Sequence, residues 1–242
     1  MKIGFSTGCF YKFLQPTSKE AVKIVRDLDS DVIELNASCL ERIEILKDFS
    51  KDDFQSFKHF SLHGPGHREL EKFSNNQYKE ILDKFEKAYQ NLKFSSIVFH
   101  PSEWIINWSL FKDYSFQIAF ENMDWRHSDY INVEKMKNIF KERDFKMVLD
   151  LNHCYTLDKS MKLAKDLFNA YQDRISHYHV SGFIDYDKGE NWHAPLFKSK
   201  PEIADLILKS IYDLDKPIII ESVFQNKEEA KKELDYIKSV LR

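Results

Sequence analysis

Glycine is scarce in this chain, with six residues in 242. That scarcity speaks against the Gly-rich loops that cradle nucleotide phosphates, and neither a P-loop nor a G-x-G-x-x-G fingerprint is present. Cysteine is rare too. Cys9, Cys39 and Cys154 are odd in number and show no paired spacing, which fits packed thiols in a reducing cytoplasm better than a disulfide framework. No apolar run comes near the ~18 residues of a membrane span. The opening Met1-Lys2-Ile3-Gly4-Phe5 lacks the long apolar core of a signal peptide and reads as a strand. No strongly basic tract is present and net charge is −3, so composition gives no general argument for nucleic-acid binding. These absences leave a cytoplasmic protein with no membrane partner.

What the chain does have is a repeated sentence. Six short apolar runs each end in a side chain able to bind metal. Phe60-Ser61-Leu62 ends in His63, Ser96-Ile97-Val98-Phe99 in His100, and Gln117-Ile118-Ala119-Phe120 in Glu121. Met147-Val148-Leu149 ends in Asp150, Ile175-Ser176-His177-Tyr178 in His179, and Pro217-Ile218-Ile219-Ile220 in Glu221. Short apolar runs of this kind are strands buried on both faces. Two more, Lys2 to Thr7 and Asp31 to Asn36, precede them. Helical spacing falls between the runs: after the Thr17-Ser18-Lys19-Glu20 cap, over Leu40 to Phe49, Asn76 to Leu92 and Val133 to Lys141, from an Asp158 cap through Tyr171, from Glu202, and over Lys227 to Leu241. Only 21 residues separate His100 from Glu121, so the fourth helix is short or irregular, and a long loop carries His193.

Most strand ends are about thirty residues apart, the length of one strand, one helix and two loops. Eight such units, with no linker or low-complexity tract, predict a single-domain α/β protein spanning residues 1–242, a (β/α)8 TIM barrel. In that architecture every strand C-terminus opens on one face, so the acids and imidazoles converge there. Glu121, Asp150, His179 and Glu221 then form a set suited to a hard or borderline divalent ion such as zinc, manganese, magnesium or cobalt. His63 and His100 are placed to join Glu121 around a second ion, and His153 with His193 to form part of a third. The expectation is one to three divalent ions per chain, zinc or manganese foremost.

Other residues are read more plainly. All four tryptophans, Trp104, Trp108, Trp125 and Trp192, fall in loops after strands 4, 5 and 7. Trp104, Trp125 and Trp192 are expected to stack on a substrate, with Arg126 pairing a phosphate or carboxylate. His59 and His177 read as core histidines, and His67 and His127 as loop residues. Glu34 on the second strand could face the lumen, but reads better as half of a structural salt bridge.

Several of these motifs together resemble the xylose-isomerase-like barrel superfamily of sugar isomerases, epimerases and AP endonuclease IV-type enzymes. They are Leu62-His63-Gly64-Pro65, Phe99-His100-Pro101, Phe120-Glu121-Asn122, Asp150-Leu151-Asn152-His153, His179-Val180-Ser181-Gly182 and Glu221-Ser222. The resemblance covers essentially the whole chain. It implies a metal-dependent hydrolase that cleaves a phosphoester, abasic DNA included, by a metal-bound hydroxide, with Glu221 or Glu121 as base and His153 at the site. The other branch it implies is a sugar or sugar-phosphate isomerase or epimerase in which Glu121 and Glu221 are the acid/base pair. In the nuclease pattern a third ion takes an Asp two residues before His193, and here Asn191 stands there. The oligomeric state stays open.

Overall fold

The computed structural model describes residues 1–70, 73–101, 111, 113–141, 144–186 and 189–242. Eight parallel strands close into a barrel. They are β1 (Ile3–Ser6), β2 (Val32–Asn36), β3 (His59–His63), β4 (Ile97–Phe99), β5 (Ile118–Glu121), β6 (Lys146–Asp150), β7 (Ile175–Val180) and, from the end of the chain, β10 (Ile218–Ile220). Sequence neighbours pair in order around the ring, and β10 closes it between β7 and β1. The intervening β8 (Gly182–Tyr186) and β9 (Gly189–Ala194) form an antiparallel hairpin outside the barrel. The expected TIM barrel is therefore the observed fold.

The helices are set by local chemistry. In α1 (Lys19–Asp27) the Ser18 hydroxyl accepts from the Ala21 amide at 3.1 Å, and Ala21, Val22 and Val25 are buried on one side. A capping box of Ser74 and Gln77 starts α4 (Asn75–Leu92), whose Ile81, Leu82, Phe85 and Leu92 line the main core. Short helices α2 (Leu40–Ile45) and α3 (His67–Leu70) flank β3 in the chain, and α5 (Val133–Phe140) lies between β5 and β6. The chain ends in α8 (Pro201–Lys209), which takes proline in its first turn, and α9 (Lys227–Val240).

Three elements differ from the sequence reading. The helix read over Leu40 to Phe49 tightens to a 3₁₀ turn after Ile45. The helix expected from Asp158 through Tyr171 is α7 (Lys162–Tyr171), and a further helix, α6 (Leu151–Leu157), precedes Asp158. The Asp150 carboxylate caps α6, accepting from the His153 amide at 2.7 Å. Asp158 separates them, accepting from the amides of Ser160 and Leu163 at 2.9 Å each. The loop expected to carry His193 is the β8–β9 hairpin, and Gly182 at its start has no room for a side chain: a Cβ there would lie 2.1 Å from Ser199 Oγ.

Alternation along the strands divides the side chains between the helix layer and the lumen. Val98, Ala119 and Val148 form a small buried cluster of their own, apart from the main core. They plug the lumen beside β4, β5 and β6. Across from them sit Glu34, Ser61 and His177, all fully buried. Glu34 on β2 meets His177 on β7 at 3.4 Å, a contact between strands that are not neighbours in the ring and so one that crosses the interior. Gly4 on β1 is forced by crowding, since a Cβ would stand 1.8 Å from the Val32 carbonyl oxygen.

Candidate metal centre

The strand register gathers the ligand-type residues at the C-terminal rim. Asp150 pairs with His179 across β6 and β7, and Asn36 with His63 across β2 and β3. His100 and Glu221 lie one residue past their strands, where the chain turns outward. Two ligand sets result. Glu121, Asp150, His179 and Glu221 form one, and His63, His100 and Glu121 the other, with ligand atoms in each set within 4.8 Å of one another.

Glu121 belongs to both sets through different oxygens. Its Oε1 lies 2.9 Å from His179 Nδ1. Its Oε2 lies 3.0 Å from His100 Nε2 and 3.7 Å from His63 Nε2. Glu221 Oε2 stands 3.4 Å from the same His179 nitrogen. His153 Nε2 is 3.7 Å from Asp150 Oδ2.

These residues fit a divalent cation on two grounds. First, Asp150 Oδ2 is buried with no hydrogen-bond partner, although such a group is costly to bury alone. Its sister oxygen is spent on the α6 cap, and its backbone amide donates to Asn122 Oδ1 at 2.8 Å, so the carboxylate is fixed with one oxygen free to bind. Second, the imidazoles are pre-oriented. His63 Nδ1 meets the Gly64 carbonyl at 2.9 Å and His153 Nδ1 the Asn122 carbonyl at 2.8 Å. In both rings a hydrogen bond to backbone leaves Nε2 toward the carboxylates, the arrangement of metal-binding histidines.

Protons balance these charges in the absence of a cation. Burial works against the charged form of His63, but the carboxylates of Glu121, Glu34 and Glu221 outweigh it and raise the ring to about 9. His179 is likewise pushed well up: burial opposes the charge, and Glu221, Glu34 and Glu121 overcome it. Glu121 goes the other way, held well below the usual carboxylate range because His179, His100 and His63 outweigh its burial. Asp150 is the exception. Burial first, then Glu121 and Glu221, lift it to about 8 against the pull of His153.

The predicted third grouping is only partly assembled. The rings of His153 and His193 meet edge to face at 6.0 Å, and His193 takes a left-handed backbone, φ 59°. Asn191 lies on β9, and its side chain falls outside the described residues. A carboxylate that the sequence reading passed over, Asp124, stands nearby, with Oδ2 3.8 Å from His153 Nε2. Asp124 is engaged by Arg126, accepting from its Nε at 2.9 and 3.0 Å, which holds the acid down to about 2 despite burial.

Arg126, expected to pair with a substrate phosphate or carboxylate, here pairs with Asp124 of its own chain. It lines the cavity at the candidate ligand sets together with Asn36, His63, His100, His153 and Glu221, a space of about 220 Å³. Trp125 beside it is half exposed at the rim. Trp192 falls on β9, but its side chain, like the whole of Trp104 and Trp108, lies outside the described residues.

Two residues given plain readings sit under the site. Glu34, read as half of a structural salt bridge, is fully buried and lies 3.2 Å from His179 Nε2. His177 is its second imidazole neighbour. The signal was in the strand parity: Glu34 and Asn36 share a face of β2, as His177 and His179 share a face of β7. His59, at the other end of the barrel, touches Ser95 Oγ at 3.3 Å as a hydrogen-bonded histidine does.

No family model and no curated protein sequence matches the chain. Solved structures do. Endonuclease IV from Thermus thermophilus superposes with a TM-score of 0.70 at 14% identity, covering 100% of this chain and 99% of its own. The chain has the xylose-isomerase-like barrel fold. D-allulose 3-epimerase from Methylomonas sp. matches at 0.69 and 16%, over 99% of this chain and 98% of its own. The probable 3-DHS dehydratase of petrobactin synthesis from Bacillus anthracis matches at 0.71 and 14%, over 98% and 99%. At such identities the likeness is one of fold. Among the described residues no helix is long and apolar enough to cross a membrane.

Proposed function

We propose that this protein is a divalent-metal-dependent enzyme that hydrolyses a phosphoester of small-molecule size. The observation that carries the reading is Glu121, which turns one oxygen to each of two ligand sets. Asp150, His179 and Glu221 would hold one cation with it, and His63 and His100 the other. Cations held there would supply Lewis-acid polarisation of a phosphoryl oxygen.

The remaining work falls to the chain's own groups. Glu121 is almost wholly shut off and Glu221 is 14% exposed at the cavity, so Glu221 is the base that takes the proton of the attacking water. His153 is the acid toward the leaving oxygen: burial lowers its hold on a proton, but Asp150, Glu121 and Asp124 outweigh that and raise it. Arg126 is neutralised by Asp124, so it shapes the wall without offering a full positive charge to a phosphate chain. The 220 Å³ cavity favours a small phosphoester over abasic duplex DNA.

A second reading is sugar epimerisation. It is favoured by the way Glu121 and Glu221 converge on one nitrogen, His179 Nδ1, at 2.9 and 3.4 Å, placing two carboxylates at one end of a sugar-sized space. One experiment separates the two. Protein loaded with Mn²⁺ or Zn²⁺ is assayed for bound metal, for hydrolysis of phosphate mono- and diesters and abasic DNA, and for ketose epimerisation. Two ions with phosphoester turnover support the first reading. One ion with epimerisation replaces it with the second.

A further inference from the structure

We infer that Glu34 is the positioning residue for His179, holding the ring nitrogen that faces away from the metal centre. The inference rests on the metal reading above and extends it to the layer below. His179 presents Nδ1 to Glu121 and Glu221 and Nε2 to Glu34 Oε1, 3.2 Å away. A ring that binds a cation through Nδ1 keeps its hydrogen on Nε2, and Glu34 is the acceptor within reach. The carboxylate is itself anchored, since Ser61 Oγ donates to Oε2 at 2.9 Å and His177 Nε2 stands 3.4 Å from the same oxygen.

The geometry is that of a spring not yet tightened. Glu34 Oε1 and His179 Nε2 are close but not aligned as a hydrogen bond, and neither has another partner. Both are fully buried, so water does not compete for them. A cation held on the Nδ1 side would fix the ring, and a carboxylate behind a metal-binding imidazole raises the ring's basicity as a ligand. The rival use of the cluster is a further, interior cation held by Glu34, His177 and His179. That would require His179 to bind metal through both nitrogens as an imidazolate, with two cations crowded on one ring, and we favour the positioning role.

The test is a Mn²⁺ titration of wild type, Glu34→Gln and Ser61→Ala, read as both stoichiometry and affinity, with His179 nitrogen shifts followed by NMR on protein loaded with diamagnetic Zn²⁺. Glu34→Gln is expected to keep the number of ions and weaken binding about 10–100-fold, with the His179 Nε2 proton signal displaced. Ser61→Ala, the milder change should Glu34→Gln fail to fold, is expected to weaken binding several-fold in the same direction. Unchanged affinity in both variants overturns the inference while leaving the metal centre standing. Loss of one whole ion, with the rest bound as before, overturns it in favour of the interior cation. Failure of wild type to bind Mn²⁺ at all removes the metal reading itself, and the inference with it.

Discussion

The two halves of the barrel lumen are built from opposite materials. Beside β4, β5 and β6 the plug is Val98, Ala119 and Val148, all apolar. Beside β2, β3 and β7 it is Glu34, Ser61 and His177, all polar and all buried. The groups above inherit the difference. His63 and His179 stand over carboxylates and hold their protons strongly. Asp150 stands over methyl groups, with one oxygen unpartnered, and keeps its proton up to about pH 8. The apolar half supplies the group a cation most needs to displace a proton from, and the polar half supplies the groups that fix the rings.

Removing the residue that joins the halves should have the largest effect. Glu121→Ala takes a ligand from both sets, and a cation worth several kcal/mol of transition-state stabilisation corresponds to roughly a thousandfold or greater loss of turnover. Bound metal measured on the purified variant should fall toward zero. Retention of one tightly held ion would show that the sets are independent and would break the comparison.

Next comes the polar half alone. Glu34→Ala leaves His177 and His179 facing each other without the carboxylate between them, and stripping one partner from a buried charged pair costs about 3–5 kcal/mol. Denaturant unfolding of the metal-free protein measures it. A loss under about 1 kcal/mol, the scale of an exposed pair, would mean water reaches this layer.

The halves also differ in their response to pH. Asp150 is raised to about 8 in the folded protein, so between its unfolded value near about 4 and pH 8 the folded state binds more protons than the unfolded. Stability of the metal-free protein must then fall as pH rises through that window. His63, raised to about 9, adds to the fall above its unfolded value of about 6.5. Glu34 and Glu121, both held low by their imidazoles against burial, contribute in the other sense: their stabilisation is lost in acid. Metal-free protein should therefore be most stable in mildly acidic solution, and Zn²⁺ added near pH 7.5 should release protons as it displaces them from these groups. Calorimetry in buffers of different ionisation enthalpy counts them. No proton release would mean Asp150 is already ionised.

Much of this architecture was legible in the chain, because a buried parallel strand is a short apolar run and each run ended on a ligand-type side chain. The rim followed from strand ends alone: Asp150 and His179 are register partners, as their matching positions implied. What stayed hidden was one layer down and to the side. Glu34 looked like a salt-bridge residue because the sequence does not state which strand faces it across the lumen, and His177 looked like core because it is core. Asp124 has no strand-end signature; it reaches His153 from the loop after β5, and only the fold brings them to 3.8 Å. Helix α6 was missed for a related reason. Asp150 reads as a ligand, and its second use as a helix cap becomes visible only when one oxygen is seen on the His153 amide.

The smallest expected effect tests the apolar half. Val148→Thr keeps shape and volume but places a hydroxyl among Val98, Ala119 and the barrel wall. If that half is dry, the hydroxyl finds no partner and the variant loses about 1–3 kcal/mol, measured by the shift of the denaturation midpoint. The polar half predicts a comparable loss for the opposite exchange. Ser61→Val removes a donor from Glu34, so a methyl should cost there what a hydroxyl costs at Val148. Equal tolerance of Val148→Thr and Ser61→Val would mean that water enters both sides, and the division of the lumen into two materials would no longer account for why Asp150 and Glu121, both fully buried acids, hold their protons so differently.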